Sequence, residues 1–321
     1  MNPASLTRPL RLAAQVPRLA ASFMRHGIPD RVLLFGSLSI GDDLLCTTVL
    51  REARKRDLPF AMMTARPELF AGNPDPADVI PPSAYYARAL RGLGKSVVQP
   101  YYARADPTNP DRDVFAFGHI LAEMCRLAGL KGEVALRPYL HLTPLEHTAG
   151  RRAKRQISFQ STAAGAALPF ANKEWGAGRF AEVVRNLPAD LTAIQLGLAS
   201  DPALPGAIDL RGKTTIREAA AVIAESEAFV GIEGFFGHLA RAVDCPSVLV
   251  LGGRVGREKV GYTCNEYLSA PTPCTPCGLR NQCMHGRACL EGVSAEAVLA
   301  ALTRVIARRG RDLPVAIARI S

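Results

Sequence analysis

The feature that most constrains this chain is an alternation of short apolar runs with amphipathic segments, which breaks at a polar seam and then restarts. Residues 31–36 (RVLLFG) read as a strand, and an amphipathic helix follows Asp42 to about Arg56. Residues 59–64, 95–101 and 136–142 read as strands, and residues 84–93 and 119–130 as helices. Such alternation builds a largely parallel sheet covered by helices. Residues 75–82 and 104–113 are rich in Pro and Asp and are expected to be loops. The seam, residues 143–155, is polar and basic and reads as a linker. Beyond it, residues 156–160, 191–197, 229–233 and 246–252 read as strands, with helices over 178–187, within 215–229, and over 237–244 and 294–309. Thr215 and Glu218 have the spacing of a capping box. The expected fold class is α/β, with two Rossmann-like domains in tandem.

Composition narrows the partners. The 321 residues leave room for two domains, and 48% hydrophobic with 21% charged residues is ordinary for a globular chain. That argues against wholesale disorder, collagen-like repeats and a coiled coil. No apolar run reaches the ~18 residues of a membrane-spanning helix. The apolar stretch 10–24 is broken by Arg11, Gln15, Pro17 and Arg18, so it is not a secretory signal, and a cytoplasmic setting is expected. The net charge of +10 points to nucleic acid, an anionic membrane surface or an anionic small molecule. With 6% aromatics and no aromatic-interleaved basic block, nucleic acid fits worst. Residues 1–31 carry Arg8, Arg11, Arg18, Arg25 and Arg31 against Asp30 alone. They form either a helix skimming the inner face of a membrane or, as Pro9 and Pro17 favour, a basic lead-in helix packed on the domain.

Four groups of residues can carry chemistry. Gly36 and Gly41 have Walker A spacing, but Asp42-Asp43 follows where Lys-Ser/Thr is required, so this is no P-loop. Asp42, at the mouth of a doubly wound sheet, could take a proton from a hydroxyl; the plainer alternative is that it caps the following helix. In the second half, Ser161 and Thr162 follow a strand, and Lys173 precedes a helix, where it could meet a phosphate or simply be solvated. Trp175 could be a packing anchor. In Glu233-Gly234-Phe-Phe-Gly237-His238, a strand leads through glycines into a helix, which makes an anion site. Glu233 could hold ribose hydroxyls and His238 a diphosphate, or His238 could be satisfied inside a helix–sheet interface. Cys274, Cys277, Cys283 and Cys289 have spacings suited to a four-thiolate zinc or iron site, which would be structural, with His285 as a substitute ligand. Cys264 begins the same Cys-rich loop, whereas Cys46, Cys125 and Cys245 are expected to be inert buried thiols.

These pieces, in this order over about residues 30–305, resemble the family 9 glycosyltransferases, the heptosyltransferase-like enzymes of bacterial surface polysaccharide synthesis. The carriers are Ser39-Ile-Gly41-Asp42, Asn172-Lys173-Glu174-Trp175, residues 209–218, the 231–240 turn with His238, residues 246–252 and the Cys-rich loop. The resemblance implies a GT-B fold: an acceptor-side domain over residues 1–148, a nucleotide-sugar domain over 149–310 with its Cys-rich loop at 264–290, and a tail, 311–321, returning to the first. It implies Asp42 as the base for an inverting transfer. Ser161, Thr162 and Lys173 would hold the donor diphosphate, with residues 234–238 as the phosphate turn. It also implies no catalytic metal, ADP-heptose as the default donor, and a lipopolysaccharide or other surface glycan as acceptor. Arg66, Arg88, Tyr101, Arg104 and His119 are candidate acceptor contacts. The family turn commonly reads Asp-Ser/Thr-Gly-x-x-His; here Gly234 replaces the hydroxyl residue and Phe235 the glycine, which leaves the donor sugar open. Three other readings use the same residues: a non-catalytic nucleotide-sugar-binding relative, a protein centred on the four-cysteine metal site, and a nucleotide-sugar epimerase.

Overall fold

The computed structural model describes residues 16–35, 39–116, 118–308 and 313–321. Arg8, Arg11 and Gly36 lie outside them. The first half runs α1 (Val16–His26), β1 (Arg31–Leu34), α2 (Ile40–Arg54), β2 (Ala61–Met63), β3 (Val79–Ile80), α3 (Ala84–Gly92) and β4 (Ser96–Val98). Its four strands form a parallel sheet in the order β3-β2-β1-β4. A hairpin of β5 (Ala103–Asp106) and β6 (Asn109–Phe115), α4 (Ile120–Leu127) and β7 (Gly132–Ala135) complete it.

The second half contains α5 (Pro144–Gly150), β8 (Gln156–Gln160), α6 (Ala177–Arg185), β9 (Thr192–Gln195), β10 (Ile208–Asp209), α7 (Ile216–Ala224) and β11 (Ala228–Ile232). It continues with α8 (Phe235–Ala242), β12 (Ser247–Val250), α9 (Arg257–Val260), β13 (Glu266–Leu268), α10 (Ala288–Glu291) and α11 (Ala295–Ile306). Six parallel strands run β10-β9-β8-β11-β12-β13. β8, β11 and β12 are buried along their whole length; β11 and β12 accordingly read as largely apolar runs, while β8 alternates Gln156, Ser158 and Gln160 with Ile157 and Phe159. After α11, β14 (Ile317–Ile320) pairs antiparallel with β7, so the tail crosses back to the first half.

Local chemistry sets the element ends. Both halves of the Thr215–Glu218 capping box form, and Ser294 caps α11. Three sequence expectations are corrected. Residues 103–115 are a hairpin, not a loop: Asp106 satisfies the turn by accepting from the N–H and hydroxyl of Thr108, and Pro110 is tolerated in a short edge ribbon. Residues 136–142 form no strand. Pro138 has no N–H to offer a ladder, and the Tyr139 N–H donates instead to the Thr47 hydroxyl at 2.8 Å. The seam is partly helical, because Thr143 and Glu146 form a capping box that opens α5. As for α1, Leu19 and Phe23 pack on the apolar cluster around Tyr86, while Arg18, Met24 and Arg25 stay exposed.

The two halves are joined by an apolar core and by polar ties. Leu44 and Leu45 of α2 share one buried cluster with Leu239 and Ala240 of α8. Arg217 donates to the Glu146 carboxylate at 2.6 Å and to the carbonyls of Glu68 and His141. Gly150 ends α5 against α7, where a Cβ would sit 2.2 Å from the Ala221 carbonyl oxygen. Gly150→Ala is therefore expected to lower unfolding free energy by about 1–3 kcal/mol, read from urea midpoints. An unchanged midpoint would show that the α5–α7 contact is loose.

A second tie is titratable. The His119 side chain caps α4 by accepting from the Leu121 N–H, and its other ring nitrogen donates to the Gly261 carbonyl at 3.1 Å. Its ring lies 5.8 Å from that of Tyr262, whose hydroxyl is 2.7 Å from Nδ1 of His238. His119 is thus an interdomain tie. Burial lowers both histidines to about 4. Unfolded, they titrate near 6.5, so below that pH the unfolded chain takes up protons that the native chain refuses. Stability is full above about pH 6.5 and falls toward pH 4, by up to about 3 kcal/mol per histidine. Wild type should lose urea resistance between pH 7 and 4.5. His119→Asn, which keeps a cap acceptor, should have a shallower pH slope, and equal slopes would count against this origin.

Candidate functional site

Two neighbouring carboxylates open α2, and the fold gives them different partners. Asp43 is 1% exposed and accepts from the Thr64 hydroxyl at 2.9 Å and from Arg66 at 3.0 Å, which ties α2 to the end of β2. Asp42 is half-buried and accepts from the Tyr102 hydroxyl at 2.7 Å. The helix N-cap is Ser39, so Asp42 sits inside the first turn, which removes the reading of Asp42 as the cap. Burial raises the Asp42 pKa, and hydrogen bonds from Tyr102 and Ser39 only partly offset that. Burial and the Asp42 charge push the Tyr102 phenol well above its usual value, so it stays a donor. A carboxylate with a raised pKa and a fixed donor on one oxygen can accept a proton on the other.

In the second half, β11 ends at Ile232 and Gly234 caps α8 with φ +151°, a conformation that side chains rarely adopt. Phe235 begins the helix two residues before the sequence reading placed its start, and a Cβ on Gly41 would lie 3.6 Å from the Phe235 Cα. The N-termini of α2 and α8 therefore abut. Lys173, on a 3₁₀ turn (Ala171–Lys173), reaches the buried Glu233 carboxylate at 2.5 Å. Burial alone would raise Glu233, but Lys173 and Arg254 hold it at about 2. The field of Lys173 also lowers Asp42. Asp42, Lys173, Glu233 and the Gly234 turn thus form one electrostatic site.

The other expected residues fall around this centre. Ser161 is 1% exposed, and its hydroxyl has no hydrogen-bond partner among the described residues. The Thr162 hydroxyl accepts from the Ala164 N–H at 3.0 Å. Gly237 lies against Leu249, and His238 is buried on Tyr262. In the tautomer in which Tyr262 donates to Nδ1, the imidazole proton sits on Nε2. Trp175 is a packing anchor, 3% exposed, whose indole N–H donates to the Val293 carbonyl at 3.0 Å.

Three functional candidates were not visible in the sequence. Tyr102 carried no motif. Arg254, after Gly252-Gly253, is 6% exposed and contacts the Asp113 carboxylate of β6; Arg280 donates to the same carboxylate at 3.0 Å. Asp111 accepts from the N–H groups of Asn281 and Gln282 at 3.0 and 2.8 Å. The Cys-rich segment so gripped also receives both N–H bonds of the Asn172 amide, through the carbonyls of Leu279 and Gln282. Only the pairing of residues distant in sequence creates these links.

Cys274, Cys277, Cys283 and Cys289 are partly exposed free thiols in this segment. Burial raises Cys289, and the other three thiols add to that, so all four lie within electrostatic reach. The Arg287 N–H donates to the Cys283 sulfur at 3.3 Å. Among the described residues, no three His, Cys, Asp or Glu side chains are close enough together to hold a metal ion. Cys264 is buried beside Arg241 and Arg308, and Cys46, Cys125 and Cys245 are buried as expected. A cavity of about 480 Å³, with Arg51, Tyr139 and Asp244 in its wall, lies at the opposite ends of α2 and α8.

No protein-family model matches the sequence, and no curated protein matches it. The fold is similar to that of the Escherichia coli ADP-heptose LPS heptosyltransferase II, with 16% identity, a TM-score of 0.64, and coverage of 87% of this chain and 99% of that one. It is similar to a family 9 glycosyltransferase from Veillonella parvula DSM 2008, at 14% identity and TM-score 0.61, covering 87% and 97%. It is also similar to TibC, an iron-containing dodecameric glycosyltransferase from enterotoxigenic E. coli H10407, at 15% identity and TM-score 0.66, covering 87% and 77%. At these identities the likeness speaks for architecture: the chain has the GT-B fold of these heptosyltransferases.

Proposed function

We propose that this chain is an inverting glycosyltransferase that moves a sugar from a nucleoside-diphosphate sugar to a hydroxyl of a bacterial surface glycan such as lipopolysaccharide. One observation carries the reading: the half-buried Asp42, held on one oxygen by Tyr102, lies within the field of Lys173 and beside the open N-terminus of α8. Asp42 takes the acceptor hydroxyl proton, and the oxygen attacks the anomeric carbon. The bond from that carbon to the diphosphate breaks, and the diphosphate leaves with the electron pair. Lys173, Nε2 of His238 and the free N–H groups of α8 stabilise the leaving charge, with no catalytic metal in the scheme. Ser161, whose buried hydroxyl is unpartnered, and Thr162 hold the donor. Glu233 gives up Lys173 to the phosphate and turns to ribose hydroxyls.

The heptosyltransferases of similar fold favour ADP-heptose as donor, and the Gly234-Phe235 turn leaves room for another sugar. Among the described residues no helix is long and apolar enough to cross a membrane; the exposed Arg18, Met24 and Arg25 of α1 suit peripheral contact with an anionic inner leaflet. Asp42→Asn should lower transfer about 10²–10⁴-fold while nucleoside-diphosphate affinity, measured by calorimetry, stays the same. Unchanged transfer would remove Asp42 as the base. Binding without transfer by wild type, across donor and acceptor panels, would favour a non-catalytic binding protein.

The four thiols are a second proposal. TibC is iron-containing, and an all-thiol donor set suits iron or zinc. The four thiols do not stand close enough for this as they lie here; Cys274, Cys277, Cys283 and Cys289 would have to draw together around such an ion, whose chemistry would be a structural cross-link. Anaerobically purified protein should carry about one metal per chain and lose it in Cys277→Ser, with a lower melting temperature. Metal-free protein whose stability ignores chelator would end this proposal.

A further inference from the structure

We propose that Lys173 does not meet the donor diphosphate alone: Arg254 and Arg280 complete a three-cation cradle around Phe170, and these two arginines set the preference for a diphosphate leaving group. The inference rests on the glycosyltransferase reading and deepens it. One aromatic ring gathers all three charges. The guanidinium carbon of Arg254 lies 4.6 Å from the Phe170 ring centroid, Nζ of Lys173 at 5.2 Å and the guanidinium carbon of Arg280 at 5.5 Å. Attraction to the ring face is too weak to assemble three like charges unaided. Two carboxylates serve them in this state, Glu233 on Lys173 and Asp113 on both arginines.

One donor among these groups is nonetheless unmet. Nε of Arg254 is buried with no hydrogen-bond partner among the described residues, on a residue that is 6% exposed. A buried N–H without a partner is costly, so a retained one points to an absent acceptor. The position agrees independently. Lys173 follows β8 and Arg254 follows β12, both at the carboxyl ends of parallel strands, where doubly wound sheets place their ligands. Planar guanidinium forks beside an ammonium match the several oxygens of a diphosphate better than a lone carboxylate.

The alternative is that Arg254 and Arg280 serve only as an ionic tie to Asp113. Calorimetric titration separates the two. Wild type is first titrated with ADP, GDP, UDP and CDP. Wild type, Arg254→Gln and Arg280→Gln are then titrated with inorganic pyrophosphate and with the nucleoside of the preferred nucleotide. We expect each variant to bind pyrophosphate at least about tenfold more weakly, with a shallower salt dependence and unchanged nucleoside affinity. Wild-type-like pyrophosphate binding by both variants overturns the cradle, as does equal loss toward nucleoside and pyrophosphate. If Arg254→Gln does not fold, the half-buried Arg280 carries the test. Wild type that binds none of these compounds overturns the glycosyltransferase reading itself, whereas nucleotide binding that ignores both arginines overturns only the cradle.

Discussion

The abutment of two helix N-termini, α2 from the first half and α8 from the second, is the constraint on which the rest of the site depends. Each helix follows a central strand of its own sheet, so each starts at a carboxyl edge. Gly41 and Phe235 meet where the two starts converge. Two positive helix ends in one place are unfavourable unless negative charge lies among them. Asp42 sits in one first turn and Glu233 just before the other. On the proposed reading, the same arrangement that needs anions for stability offers an anionic substrate a binding site and sets a base beside it.

The charges of Lys173 and Glu233 follow a related logic. Burying Glu233 or Lys173 alone would be costly, and at 2.5 Å each makes the other tolerable. In the proposed mechanism Glu233 stands where a phosphate charge would stand, so donor binding exchanges one anion for another and does not bury a new bare charge. The Cys-rich segment ties this chemistry to the other half. Asn172, one residue before Lys173, is held by the carbonyls of Leu279 and Gln282, and the N–H groups of Asn281 and Gln282 are held by Asp111 of the hairpin. Lys173, the Cys-rich segment and the β5–β6 hairpin are one mechanical unit.

What the sequence revealed, and what it hid, follows from the range of the interactions. The capping box at Thr215 and the buried strands β8, β11 and β12 are local or periodic, and they were legible. Asp42 and Lys173 were legible as chemistry because each stands next to an element end in a recognisable order. The hairpin was hidden because its Pro and Asp residues suit a loop equally well; pairing between its own strands and with the Leu279 backbone decides the matter. Arg254 was hidden because a single arginine after two glycines has no pattern. Its meaning comes from Phe170, Asp113 and Glu233, which lie far from it in the chain. His238 lay between two readings that the sequence could not separate, since both begin with a histidine in the first turn of a helix.

The altered turn can now be placed in the same physical terms. In the family that this sequence resembles, a Ser/Thr stands where Gly234 stands here. Gly234 has φ +151°, which a serine or threonine would adopt only with strain, so the change concerns the backbone path and not merely a missing hydroxyl. Phe235 then turns into the junction with α2 and packs by Gly41, filling volume that a glycine would leave open. On the proposed reading, a donor site that has lost a neutral hydroxyl ligand must recover that affinity elsewhere. Arg254 and Arg280 lie where they could supply it, as charge-assisted bonds of roughly twice the strength of neutral ones. Such a site depends more on the diphosphate and less on a shaped neutral pocket, which allows the sugar to diverge while the leaving group stays the same.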